Sequence, residues 1–333
     1  AYAFYNNQDF IGTTAGPIDE GKKREKYETQ STQTYGFTIG APIIKNKIFI
    51  FASAEYYRKS YPNIYTPANG SYDSKPLKAD VIYEGQNLGN IFNSAIAEAA
   101  IAHYQKTYGV SAKESFTPHQ KVNSSINAMA RIDWNINDAH KLMLRYQFMD
   151  ADADQYGSNL GTYYFNNSSY IQSNNTHTLV AELNSRVSDE IYNEFRATAV
   201  FVRDRRTPGY NGANMYIQDN FTIDLGTEYS SGANAMNSDT YTIADNLSIF
   251  KGNHNITVGT HNEIYKFNNV FLQYAFGGYT FSSLADFFDN KIYEFNYRYA
   301  DPEMEGVNGP RWAATTYAAQ FGLYAQDEWK PTS

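Results

Sequence analysis

The charged side chains of this sequence recur at every second position within short alternating runs. Glu55, Arg131, Asp133, Arg145, Gln147, Glu182, Glu194 and Arg196 all lie in segments that alternate polar with apolar residues. In an extended strand that spacing gathers the polar members on one face. There they can pair with neighbours on adjacent strands, or meet a polar partner held against the face. Both uses stay open from the spacing alone.

Other residue types with chemical potential are less convincing. Asp150, Asp152 and Asp154 ("DADAD") alternate at one strand end, where carboxylates on a shared face can take a calcium ion or simply face water. The six histidines, His103, His119, His140, His177, His254 and His261, lack ligand spacing and read as solvated or packed side chains. "GYNGAN" at 209–214 is turn material without the Gly-Lys-Ser/Thr or the following helix of a phosphate loop. Nothing brings Ser, His and Asp into a nucleophile–base arrangement, so no enzymatic activity is expected. Aromatic residues in the long polar stretches are candidates for ligand contact: Tyr61, Tyr65, Tyr163, Tyr164, Phe165, Tyr210, Tyr274, Phe276, Tyr279 and Phe281. Aromatic faces suit sugars, peptides or apolar groups. They can equally staple loops together or belong to an aromatic girdle.

Composition narrows the class. The chain has 333 residues, no cysteine and a formal net charge of −8, so thiolate chemistry is excluded and nucleic acid is not the expected partner. Tyr (30) and Phe (21) dominate an aromatic content of 16%, which favours strands and surfaces that are dry at one end and wet at the other. No run of about 18 apolar residues exists, so no helix spans a membrane. Ala1-Tyr2-Ala3-Phe4-Tyr5 lacks the charged start and apolar core of a signal peptide, as a mature or truncated chain would. Membrane strands stay open, because their hydropathy signal is only dyadic.

The elements that position these residues are hairpins. Tight turns are expected at 42–47, 135–140, 185–190 and 251–254, each rich in Asn, Asp, Gly or Lys. Ile126, Ala128, Ala130, Ile132 and Trp134 oppose Asn127, Met129, Arg131 and Asp133. Beyond the turn, Leu142, Leu144, Tyr146 and Phe148 oppose Met143, Arg145 and Gln147, and similar alternation continues through 179–184 and 195–201. The hairpin at 242–266 alternates less cleanly. The other strand ends run into long stretches at 12–30, 61–120, 152–174, 205–237 and 271–315, longer than compact soluble domains tolerate. Short helices are expected within them, over Phe92–Tyr104 before Gly109 and after Ser283. About ten strands with short turns at one end and long loops at the other define an all-β, antiparallel transmembrane barrel. A soluble β-sandwich is the alternative.

Several stretches resemble a known family. "GFTIGAPIIKNKIFIFASAEYYR" is similar to the Gly-x-Pro…Lys-x-Phe-x-Phe-x-x-x-Glu hairpin of TonB-dependent outer-membrane receptors. "RIDWNINDAHKLMLRY", "YTFSSLADFFDNK", "GLYAQDEWKPT" and the opening "AYAFYNNQDFIGTT" resemble the same proteins in order and spacing. The closest resemblance is to the Oar-like branch common in Bacteroidetes, which carries a carboxypeptidase-regulatory-like domain. It implies a barrel of 22 strands with short periplasmic turns and long extracellular loops, an internal plug domain, and energy coupling through TonB. The chain then corresponds to the first part of the barrel wall, residues 1–333 forming one partial domain. Its plug, TonB-contacting segment and remaining strands lie outside it.

The expected function is active import across the outer membrane of a Gram-negative bacterium, with a peptide, glycan or metal chelate as substrate. The polar ladder would face the lumen and plug. Tyr65, Tyr163, Tyr164, Tyr210, Tyr274, Phe276 and Tyr279 would be the substrate-facing loop aromatics. Expected partners are outer-membrane lipid, the plug, TonB and a surface lipoprotein or lid protein; no cofactor is expected. A surface anchor without transport and a passive porin are the competing functions.

Overall fold

The computed structural model describes residues 1–13, 25–109, 119–155 and 157–331. Parts of the expected loops at 12–30 and 61–120 therefore lie outside the described residues, as does the side chain of His119. The chain opens with β1 (Tyr2–Asn7), α1 (Gln8–Ile11), β2 (Ser31–Ile44) and β3 (Ile48–Asn63). A long connection then carries β4 (Val81–Tyr83), β5 (Gln86–Gly89) and α2 (Ser94–Tyr108). β6 (His119–Asn135) and β7 (His140–Asp154) follow, then the short β8 (Thr162–Tyr164). Next come β9 (Tyr170–Arg186), β10 (Ile191–Pro208), β11 (Asn214–Gln218) and β12 (Thr222–Leu225). The last elements are β13 (Asn234–Lys251), β14 (His254–Phe271), β15 (Gly278–Phe281), α3 (Leu284–Phe288), β16 (Glu294–Asn296) and β17 (Ala314–Trp329).

Ten of these strands form one antiparallel wall in the order β1-β2-β3-β6-β7-β9-β10-β13-β14-β17. The four expected turns connect its strands at one end. Lys47 N–H closes the first by donating to Ile44 O at 2.9 Å, with Asn46 at φ 61°, a conformation Asn tolerates. The sheet is open, β1 and β17 each having a single neighbour.

Register fixes the two faces. Across the wall, Ile50, Ile132, Leu144, Ala181, Ala197 and Ile243 align on one row. Phe37, Ile39, Ile132, Leu144, Leu179, Ile243 and Ile264 are all exposed on this face. Such a surface is stable only where the surrounding medium is itself apolar. Wall strands of 14 to 18 residues, such as β2 and β10, exceed the roughly 9–11 that cross a bilayer. They therefore project past the apolar band toward the long connections.

Two tyrosines lie flat on the opposite, polar face. Tyr324 crosses Gly259 and donates to Asn246, two strands away, while Tyr2 crosses Gly36 and donates to Glu55. A Cβ on Gly259 would sit 2.5 Å from both the Tyr324 ring and Asn246 Oδ1, so glycine is needed for this close approach.

The long connections are where the structure departs from the sequence reading. The helices appear as expected: Asn93 caps α2, Gly109 ends it in the left-handed region, and Ser283 caps α3. Of the apolar positions whose helical spacing suggested α2, Phe92, Ile96, Ala99 and Tyr104 are buried with Ala97 and Ala100, while Ala95 is exposed. More importantly, the connections build a second sheet, ordered β16-β15-β11-β12-β8. β11 pairs in parallel with β15, and β12 in parallel with β8, so three different connections contribute. This unit holds the hydrophobic core of the described residues. Tyr72, Phe92, Ile96, Tyr104, Tyr163 and Phe287 are among its fully buried members.

Polar bonds tie the connections together. Asp219 accepts from the backbone N–H of Lys78 at 2.7 Å and of Leu284 at 2.9 Å, joining three of them. Tyr104 donates to Ala213 O at 2.8 Å. Gly226, at φ 92°, lies where a Cβ would meet Ala213 O at 2.0 Å. The result is a packed cap on the long-loop end of the wall.

Candidate functional site

The register brings the whole polar ladder to the face opposite the apolar band. Glu55 pairs with Asn127, and Arg131 and Asp133 follow on the same side of β6. Arg145 lies opposite Arg131, Gln147 opposite Met129, Glu182 opposite Arg196, and Glu194 opposite Asn184. Part of the ladder pairs internally. Arg131 grips Asp133 through two bonds of 2.8 and 2.7 Å. Arg196 donates to Glu182 at 3.0 and 2.7 Å and lies 3.3 Å from Glu194. These half-exposed pairs contribute only about 0.2–1 kcal/mol each.

Arg145 is the exception. It faces the like charge of Arg131 and has no ion pair among the described residues, and its Nε is buried without a hydrogen-bond partner. A guanidinium left this way calls for an acceptor from another segment or molecule.

Higher on the polar face, under the cap, is a cavity of about 240 Å³. Lys121, Gln155, Tyr164, Ser168, Tyr170 and Glu228 line it. Lys121 and two cations beside the cavity are held over aromatic rings. Arg206 stands 4.9 Å from the Tyr170 ring, while Lys59 and Lys121 flank Tyr61 at 5.0 and 5.7 Å. Arg206 also donates to Ser230 Oγ at 2.7 Å, and Ser230 donates to Glu228 at 2.8 Å. The walls thus offer one cation, Lys121, with phenols and one carboxylate to a polar guest. Burial raises the Tyr164 hydroxyl above its ordinary pKa, keeping it a neutral hydrogen-bond donor.

The loop aromatics separate into groups. Tyr164 lines this cavity. Tyr163, 1% exposed, and the buried Phe165 and Phe281 belong to the cap core, out of a ligand's reach. Tyr65, Tyr210 and Tyr279 pack against that core. Tyr274 packs on Tyr229 at 5.4 Å, and Phe276 lies under Arg311 at 4.0 Å. Stapling of the loops thus describes most of the set. Asp150, Asp152 and Asp154 do not converge on a cation. They accept from Asn175, Ser173 and the Val122 N–H respectively, and no metal-binding group of three or more occurs among the described residues.

Sequence reasoning missed Lys121, Tyr170, Arg206 and Glu228. The first three sit at strand ends that continue the polar parity of the ladder, a signal the alternation already contained. Glu228 comes from the cap, and nothing local marks it.

A wide antiparallel wall, apolar on one face and charged on the other, with turns at one end and long connections at the other, defines an outer-membrane β-barrel. Residues 1–333 match the family described as outer membrane beta barrel domain, and the chain belongs to that family. A soluble β-sandwich is thereby excluded, and the protein lies in a Gram-negative outer membrane. The outer membrane transporter YddB from Escherichia coli is similar in fold, with 11% identity and a TM-score of 0.56 over 98% of this chain and 36% of that one. The ferric-catecholate import receptor Fiu from E. coli K12, open form, aligns at 11% identity and a TM-score of 0.38 over 90% of this chain and 44% of that one. The chain thus spans less than half the length of either structure. No curated protein matches it. In this setting the apolar face meets lipid.

Proposed function

We propose that the chain forms wall and outer loops of a TonB-dependent importer of the Oar-like type, carrying a polar substrate too large for diffusion porins. The observation that supports this most is the cation- and tyrosine-lined cavity between the cap and the lumenal face. A passing peptide, glycan or metal chelate meets hydrogen-bonding and charged groups there before entering the lumen. The ladder below continues the polar path, and a plug domain supplied from outside residues 1–333 gives Arg145 its missing acceptor. Tyr164, Tyr170 and Lys121 contact substrate first, with Arg206 stacked on Tyr170; Glu55, Gln147 and Glu194 face the plug. Energy comes through TonB, and a surface lipoprotein or lid protein is a compatible partner of the cap.

The test begins with mass spectrometry of the intact protein from purified outer membranes, looking for a plug-like domain and further strands. Accumulation of labelled peptide and glycan libraries is then compared with the inner membrane energised and de-energised. Import that needs energy, and weakens in Lys121→Gln and Tyr170→Ala, supports the proposal. A protein without a plug, or uptake indifferent to energy, makes it an anchor or a porin instead.

A further inference from the structure

The lipid-facing side of the wall changes chemistry abruptly near the long-loop end. On β10 the face runs Ala197, Ala199, Phe201, then Arg203. On β13 and β14 it passes from Tyr241 and Ile264 to the pair Asp239 and Lys266, then to Asn237 and Asn268. The Phe201 and Tyr241 rings meet edge-on at 5.8 Å, at the level where aromatic girdles mark a membrane interface. Just above them is a polar cavity of about 210 Å³, lined by Arg203, Asn237, Asp239, Lys266, Asn268 and Thr315.

Its internal bonding leaves one cation uncommitted. Arg203 is held by Asp239 at 2.7 Å, whereas Lys266 has no ion-pair or side-chain hydrogen-bond partner among the described residues. Asn237 donates to Asn268 at 3.3 Å and Asn268 to Thr315 at 3.0 Å, a chain of amide and hydroxyl groups along the cavity. From the Tyr241 row downward, the same face is hollowed by small residues. Ala130, Ala181, Ala197 and Ala199, rimmed by Leu144 and Ile243, leave a depression of about 570 Å³ lined almost wholly by apolar side chains.

We propose that these two features form one lipid site, which takes the phosphorylated sugar headgroup of an outer-leaflet glycolipid. Lys266 and Arg203 bind the phosphate, Asn237, Asn268 and Thr315 meet sugar hydroxyls, and an acyl chain occupies the alanine-lined depression. The position selects a lipid over a free anion, since the cavity opens on the face that continues the apolar band. The chemistry matches: an ammonium is a point-charge ligand for phosphate, and a guanidinium a forked one. The site is on the outer surface and independent of transport, so it stands whether or not the chain imports anything.

The experiment uses the full-length protein, purified in detergent with its native lipids stripped, and native mass spectrometry with hexa-acylated bisphosphorylated lipid A. Two variants are compared with wild type. Lys266→Gln leaves the Arg203–Asp239 pair intact, and the triple variant Arg203→Gln/Asp239→Asn/Lys266→Gln removes that pair together, so neither strands a buried charge. Lys47→Gln, at the opposite end of the wall, controls for overall charge. Heat-modifiable gel mobility confirms that each barrel is folded. Saturable binding that weakens about tenfold in Lys266→Gln, further in the triple variant, and not in Lys47→Gln is the expected result. Equal binding of dephosphorylated lipid A, or unchanged binding in the triple variant, overturns the proposal. Saturation of the site by inorganic phosphate at concentrations comparable to the lipid overturns it as well, since the ligand is then a free anion.

Discussion

Arginine placed on the two faces of β7 should give opposite results. Leu144 sits on the apolar face, opposite Ile132 on β6 and Ala181 on β9. Its row is the middle of three, between Leu142 with Trp134 and Leu183, and Tyr146 with Ala130 and Leu179. Rows on one face of a strand are about 6.6 Å apart, so the Leu144→Arg guanidinium starts near mid-bilayer and must stretch to the Tyr146 level for water. A lipid-facing Arg at the midplane costs about 2–4 kcal/mol, and partial snorkelling places Leu144→Arg in the lower half of that range. That cost corresponds to a folding equilibrium lowered by roughly thirtyfold or more. Gln147 lies opposite Met129 and Thr178 on the polar face, and Gln147→Arg should cost under about 1 kcal/mol. Urea unfolding of the full-length protein from phospholipid vesicles measures both. Equal tolerance of the two, or greater damage from Gln147→Arg, would refute the assignment of faces.

The cap and the wall offer three more predictions. Phe92→Ala removes a fully buried ring packed against Tyr163 and Phe221 at 5.1 and 5.5 Å, and should destabilise the cap by about 3–5 kcal/mol. Limited proteolysis should then cut the long connections while the barrel keeps its heat-modifiable mobility. Asp224, 3% exposed and bonded by Asn214 at 2.9 Å, has its carboxyl pushed up to about 7, chiefly by burial. The folded cap therefore keeps a proton that the unfolded chain loses above roughly pH 4. Cap stability should fall as pH rises from about 4 to about 7 and level off beyond, and hydrogen exchange across β11 and β12 should lose that dependence in Asp224→Asn. Gly259→Val forces Tyr324 off Asn246 and should cost about 1–3 kcal/mol, read as a lower urea midpoint. An unchanged midpoint would show that the ring does not need the space.

The wall was legible in the sequence because its information is local. Alternation such as Leu142-Met143-Leu144-Arg145 states which side chains share a face, and the four short turns fix each hairpin's register. That the charged ladder shares one face also followed from parity alone. The hairpin at 242–266 showed in the sequence only as less clean alternation, and the structure places Asp239 and Lys266 in its apolar row. Its meaning became readable only when register set Arg203, Asn237 and Asn268 beside them.

The cap was not legible, and the reason is again physical. β8, β11, β12 and β15 are three to five residues long, and their parallel pairs join segments far apart in sequence. Strands that short carry no period, and parallel pairing has no turn to announce it. Tyr163, Tyr164 and Phe165 are adjacent aromatics in one connection, yet the first and third are buried and the second lines the cavity. Sequence by itself determined a membrane wall with one wet and one dry face. Only tertiary structure decided which loop aromatics pack inside a core and which groups line the cavity beneath it, because that division depends on contacts among connections that no local pattern links.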